Sequence, residues 1–187
     1  GHLLYDFLSN SIAGKNRSLV EDLPYSEGVK AYLACNIELD RALELLLERL
    51  EEAGVLENTV IVLSADHYPY GLSLEELSEL AGHEIDSDFE LYRNACIIYR
   101  HGMESETIDE PCSSIDLLPT VSNLMGWAFD SRLIMGRDVF SDAKPLVILS
   151  NRSYITGKAR YNTRTGELEP TAGEPLPEGY QEYYSAV

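Results

Sequence analysis

The stretch TVIVLSADHYPYGL, residues 59–72, runs from an apolar, β-branched segment into an acid, a base and a turn. Its apolar residues are continuous rather than alternating, the pattern of a strand covered on both faces. Asp66 and His67 leave the carboxyl end of that strand together, and Pro69 and Gly71 follow as turn residues. Within a strand neighbouring side chains point apart, but past its end a turn can aim both at one ion. A carboxylate and an imidazole suit Mn²⁺ or Zn²⁺ better than Ca²⁺, which prefers an all-oxygen shell. The competing reading is a loop-capping Asp beside a surface His.

Outward from this stretch, residues 26–53 carry apolar side chains at three and four spacing: Val29, Tyr32, Leu33, Ile37, Leu39, Leu43, Leu46, Leu47 and Leu50. Gly54 closes a long amphipathic helix. A short helix is expected over 73–82, a second buried strand over 94–100, and a helix over 113–126 capped by Ser113 or Ser114. Pro119 falls near the first turn of that helix, where a missing N–H is tolerated. Residues 145–150 read as a third strand and 153–169 as a hairpin turning at Arg164–Gly166. The alternation of helix and strand predicts an α/β fold with a mostly parallel sheet flanked by helices, incomplete on its amino-terminal side and ending in a β-hairpin. In such sheets ligands sit at the carboxyl ends of strands, where Asp66 and His67 stand. The expected domain covers 1–165, with 166–187 an extended acidic tail.

Composition narrows the function. The 187 residues carry 14 Lys+Arg against 32 Asp+Glu, a formal net charge of −18. That field repels phosphate backbones, so nucleic acid is excluded as a partner class. No run of eighteen apolar residues occurs, so this piece reads as soluble in itself. It opens without a Met and in mid-pattern, which suggests a fragment of something longer. Cys35, Cys96 and Cys112 show no CxxC spacing and read as small core residues.

Several further motifs agree with one family. SADH after an apolar strand resembles the alkaline phosphatase and sulfatase superfamily, and ENTVIVLSADHYPYGL is closer still to the lipoteichoic-acid-synthase-like sulfatases of Gram-positive bacteria. GHLLYDFLSNSIAGKN resembles that group's segment with a Gly-His, an aromatic, an Asn and a Lys-Asn. YLACNIELDRALELLLERLEEAGVLENTVIV resembles the helix leading to its metal strand, SSIDLLPTVSNLMG its Asp-Leu-Leu-Pro-Thr helix, and DSRLIMGRDVFS the loop after it. The likeness runs from about residue 1 to about residue 163.

The resemblance implies an alkaline-phosphatase-like fold, with Asp66 and His67 as metal ligands and His2 as a catalytic histidine at the substrate phosphate. It implies a phosphate or sulfate ester substrate, a glycerophosphate lipid or polymer among the candidates, and a parent anchored in the bacterial membrane with this domain on its extracellular face. The family's nucleophile and a further acidic ligand lie upstream of the Gly-His segment, so the chain alone is expected to be inactive. A different class stays open: a non-catalytic binding domain recognising a cell-wall anion or a protein. Missing strands would leave an open sheet edge, so a homodimer by strand exchange or edge pairing is also expected.

Other residues have two readings. Arg132 and Arg137 would clamp a phosphate or sulfate bidentately, or else pair with Asp130 or Asp138 to fix their loop. Tyr68 and Tyr70 line a substrate groove or cover the strand end. Asp116 is expected to be structural, held by the first turn of its helix. His83, among Glu84, Asp86 and Asp88, reads as part of a solvated acidic loop, and His101 as a turn residue.

Overall fold

The computed structural model describes residues 4–171 and 175–186. The chain forms two compact units that meet in sequence between Glu104 and Ser105.

The first unit is built on one long helix. α1 (Ser11–Lys15) is capped by Asn10, whose side chain accepts from the Ile12 and Ala13 amides. A 3₁₀ turn at Arg17–Leu19 leads to α2 (Glu27–Glu52), capped by Ser26. At about 1.5 Å per residue this helix is roughly 39 Å long. Ala13, Val20, Ala31 and Ala34 form a fully buried core, with Tyr5, Phe7, Leu33, Cys35 and Ile37 packed on it. Small residues at Ala13, Ala31 and Ala34 let α1 and α2 approach closely. The Asn and Lys-Asn of the amino-terminal motif hold this junction. Buried Asn10 donates to the Leu4 carbonyl, and buried Asn16 donates to the Ala34 carbonyl and to Glu38.

After α2, Gly54 adopts a left-handed φ of 68° and turns the chain through Leu56–Asn58 into β1 (Val60–Ser64). α3 (Leu74–Ala81) opens with a capping box between Ser73 and Glu76 and ends at Gly82, φ 77°. β2 (Cys96–Arg100) then returns beside β1.

The second unit starts its helical part with a 3₁₀ turn, Ser114–Asp116, that continues as α4 (Leu117–Leu124). Ser113 caps it, and Pro119 lies in the first turn of α4, both as expected. A four-stranded meander follows: β3 (Leu146–Ile148), β4 (Tyr154–Thr156), β5 (Ala159–Asn162) and β6 (Glu167–Pro170). The expected hairpin turn at 164–166 joins β5 to β6, with Gly166 at φ 75°.

Three expectations need correction. The mostly parallel sheet is not observed: β1 pairs antiparallel with β2 from Val60↔Arg100 to Ser64↔Cys96, and β3 to β6 are antiparallel throughout. Helix–strand alternation gives a parallel pair only when a crossover carries the chain back to the sheet's starting end. Here the stretch holding α3 leaves β1 and re-enters at that same end. β1 and β2 are also not covered on both faces, with Val62 38% and Ile97 52% exposed. Second, the stretch read as an extended tail contains α5 (Tyr180–Ser185), docked by Tyr180, whose hydroxyl is 2.7 Å from Thr156 Oγ1. Tyr184 stands 5.9 Å from Tyr154 and 4.8 Å from Tyr180, so aromatic contact supplies what the Pro- and Gly-rich composition seemed to deny. Third, of the cysteines only Cys35 packs on a core, while Cys96 and Cys112 are exposed.

Candidate functional site

The loop after β1 folds through short-range bonds. The Tyr70 amide donates to the Tyr68 carbonyl at 2.8 Å and the Leu72 amide to the Pro69 carbonyl at 2.9 Å. Pro69 presets its own φ for this turn, and Leu72, 5% exposed, pins the far end before α3 begins. Asp66 and His67 lie at the open end, their side chains 84% and 35% exposed.

The imidazole is oriented by the backbone. Its Nδ1 is 2.7 Å from the Tyr68 carbonyl oxygen. A carbonyl only accepts, so Nδ1 carries the proton, and in the neutral ring Nε2 then bears a lone pair. Nε2 stands 3.4 Å from Asp66 Oδ1. Two acceptors at that distance are unfavourable unless a proton or a cation lies with them. Two donors each about 2.1 Å from one ion stand roughly 3.0–3.4 Å apart, so the pair fits two corners of a metal shell. A carbonyl holding the second ring nitrogen is the usual outer-shell support of a ligating histidine. Among the described residues no third His, Cys, Asp or Glu joins them in a cluster. His2 lies outside the described residues.

Aromatic rings flank the pair. Tyr70 is 4.5 Å from the His67 ring, while Tyr68 is edge-on to Tyr70 at 6.3 Å and to Tyr92 at 5.8 Å. Behind them, Pro69, Leu77, Leu80, Ile85 and Leu91 line a shallow apolar groove of about 220 Å³. Tyr68 is half-buried against Tyr92. The Tyr70 ring is half exposed and lies beside His67.

Nearby charges resolve the other candidates of this unit. His83 Nε2 is 2.7 Å from Glu90 Oε1. That bond holds the His83 pKa above, and the Glu90 pKa below, its ordinary value. The acidic loop is thus closed by an ion pair. His101 lies in a turn before Gly102, φ 75°, at the end of the β1–β2 ladder away from Asp66.

In the second unit, Asp116 is 4% exposed and saturated. It accepts from the Ser113 amide at 2.8 Å, from Ser113 Oγ at 3.4 Å and from the Arg137 amide at 2.8 Å. Arg132 is held by Asp130 through two bonds, Nε at 2.9 Å and Nη2 at 2.7 Å. This fork raises the Arg132 pKa and lowers that of Asp130, and it gives the loop-fixing pair expected as one of two readings. Arg137 is nine-tenths buried and bonds the Ala143 and Pro111 carbonyls and Glu110, so it ties loops together and not to Asp138. Asp138 accepts from Asn123 instead.

In the first unit, a strand-end loop thus carries an exposed carboxylate beside a backbone-oriented imidazole. The comparisons give the family: the sulfatase family model matches residues 7–127, and the chain belongs to that family. It is 30% identical over 154 residues to lipoteichoic acid synthase-like YvgJ of Bacillus subtilis (strain 168), covering 74% of this chain and 25% of the relative. Lipoteichoic acid synthase 1 of the same organism is 30% identical over 166 residues, covering 82% and 26%. Lipoteichoic acid synthase of Staphylococcus aureus (strain NCTC 8325 / PS 47) is 29% identical over 156 residues, covering 76% and 24%. The chain spans about a quarter of the length of these relatives. No solved structure gives a significant match. Among the described residues no helix is long and apolar enough to cross a membrane.

Proposed function

We propose that this chain supplies two donors, Asp66 and His67, to a divalent metal site in a sulfatase-family protein that acts on phosphate or sulfate esters. The observation that carries the reading is the pair of acceptors, Oδ1 and Nε2, 3.4 Å apart with Nδ1 committed to a carbonyl. Mn²⁺ or Zn²⁺ suits a mixed oxygen–nitrogen set better than Ca²⁺ does. Such an ion, when bound, polarises an ester oxygen and lowers the pKa of a bound nucleophile. The chain's part is to hold the donors on one loop, to fix the ring nitrogen that faces the ion, and to border the site with Tyr68 and Tyr70.

Likeness to lipoteichoic acid synthases supports a glycerophosphate lipid or polymer as the substrate class, a membrane-anchored parent and an extracellular position. His2 would meet the substrate phosphate and Arg132 an anionic part of the substrate. Arg132 must leave Asp130 to do so. The attacking group would come from the rest of a longer protein, so the 187 residues alone are expected to turn over no ester.

The test is calorimetric titration of the chain with Mn²⁺, Zn²⁺ and Ca²⁺ beside Asp66→Ala and His67→Ala. Binding of Mn²⁺ or Zn²⁺ that each substitution abolishes supports the assignment. Binding that survives both overturns it.

A further inference from the structure

Gly71 has no backbone reason to be glycine. Its φ is not among the positive values found at Gly54, Gly82 and Gly102, so an L side chain is conformationally permitted. Space is the reason instead. A Cβ at this position would lie 2.9 Å from both Cδ2 and Cε2 of Tyr5. Carbon atoms pack best at about 3.5–4.0 Å, so any side chain here drives the loop and the ring apart. The ring has little room to yield: it stands edge-on to Tyr32 of α2, 5.1 Å away at 86°, and rests on the core of Ala13, Val20, Ala31 and Ala34.

The contact links the rigid part of the unit to the loop. From α2 the path runs through Tyr32 and Tyr5 to Gly71, one residue from Tyr70, whose ring lies 4.5 Å from that of His67. Between the end of β1 at Ser64 and buried Leu72, the backbone bonds are short-range, and Tyr68 and Pro69 add contacts with Tyr92 and with the groove of Leu77, Leu80 and Leu91. A loop free to sample other shapes must be ordered when an ion binds, and that cost weakens affinity.

We propose that Tyr5 and Gly71 form a clasp that keeps the loop 66–72 in the shape where Asp66 and His67 face one ion, which makes both of them positioning residues. The inference rests on the metal reading above, and its test separates the two.

Mn²⁺ titration by calorimetry is run on the full chain and on Tyr5→Phe, Tyr5→Ala, Gly71→Ala, the Tyr5→Ala/Gly71→Ala double variant and Asp66→Ala. Amide hydrogen exchange over residues 66–72 is measured without metal. Tyr5→Phe keeps the ring and is expected to match the parent chain. Tyr5→Ala and Gly71→Ala are each expected to weaken Mn²⁺ binding about tenfold and to speed exchange in the loop, with α2 exchange unchanged. The double variant is expected to be no worse than Tyr5→Ala, because the clash disappears with the ring. Parent-like affinity and exchange in both single variants, with Asp66→Ala still blind to Mn²⁺, overturns the clasp and leaves the metal site standing. If the parent chain itself ignores Mn²⁺, the metal reading fails, and loop exchange alone decides whether the clasp holds this conformation. Should Gly71→Ala not fold, Tyr5→Ala against Tyr5→Phe carries the same decision.

Discussion

Asp66 and Asp116 both stand two residues after a Ser and both look reactive on paper, yet the structure gives them opposite situations. Asp116 is buried, and three donors from Ser113 and Arg137 converge on its oxygens. It joins the start of α4 to a loop twenty-one residues further along the chain. Asp66 lies open at a strand end, with the His67 Nε2 3.4 Å away. The difference teaches that a carboxylate's partners, and not its motif, separate stitching from chemistry. One whose lone pairs are already spent on amides has little left for a metal or a substrate.

Removing the two carboxylates is the sharpest way to break this comparison. Asp116→Ala is expected to destabilise its unit by about 3 kcal/mol, because two backbone amides lose a charged acceptor in a buried place. Urea unfolding followed by circular dichroism reads this directly, and a loss below about 1 kcal/mol would mean that water replaces the carboxylate.

A smaller effect concerns charge. The bond to Glu90 raises the His83 pKa, so its stabilising contribution is complete below the unfolded value of about 6.5 and fades as pH rises through the folded value. Glu90, with its pKa lowered, contributes fully above about 4.3 and loses this as pH falls through its folded value. The pair is therefore at full strength between those limits. An NMR titration should place His83 above an ordinary histidine, and Glu90→Gln should bring it back. Least of all is expected from Asp66→Ala, whose thermal midpoint should correspond to a change within about 0.5 kcal/mol, the usual range for an exposed side chain. A large loss there would make Asp66 a second stitch and erase the contrast.

Local signals carried much of the architecture. Three-and-four spacing marks α2, and the Ser73…Glu76 box and Gly82 bound α3. Ser113 and Pro119 mark the start of α4. Strand direction was not legible, because a continuous apolar run reports an expected burial and says nothing of which neighbour pairs or which way it runs. α5 was hidden by its Pro- and Gly-rich approach, although Tyr180, Tyr183 and Tyr184 at i, i+3 and i+4 were a usable signal. At the site, the Asp66–His67 pair and its turn were visible in the sequence. The carbonyl that sets the ring nitrogen, and the approach of Tyr5 to Gly71 across sixty-six residues, are products of folding. The tie between Asp116 and Arg137 is likewise long-range, and only the helix-start position of Asp116 hinted at it.

The antiparallel register of β1 and β2 also has a practical side. It sets exposed Cys96 directly across the ladder from Ser64, two residues before Asp66. The chain therefore carries its own attachment point for a fluorophore or a spin label beside the loop. Once Cys35 and Cys112 are replaced by serine, that single thiol becomes an address from which loop motion, and the response to added Mn²⁺, can be watched without altering Asp66 or His67.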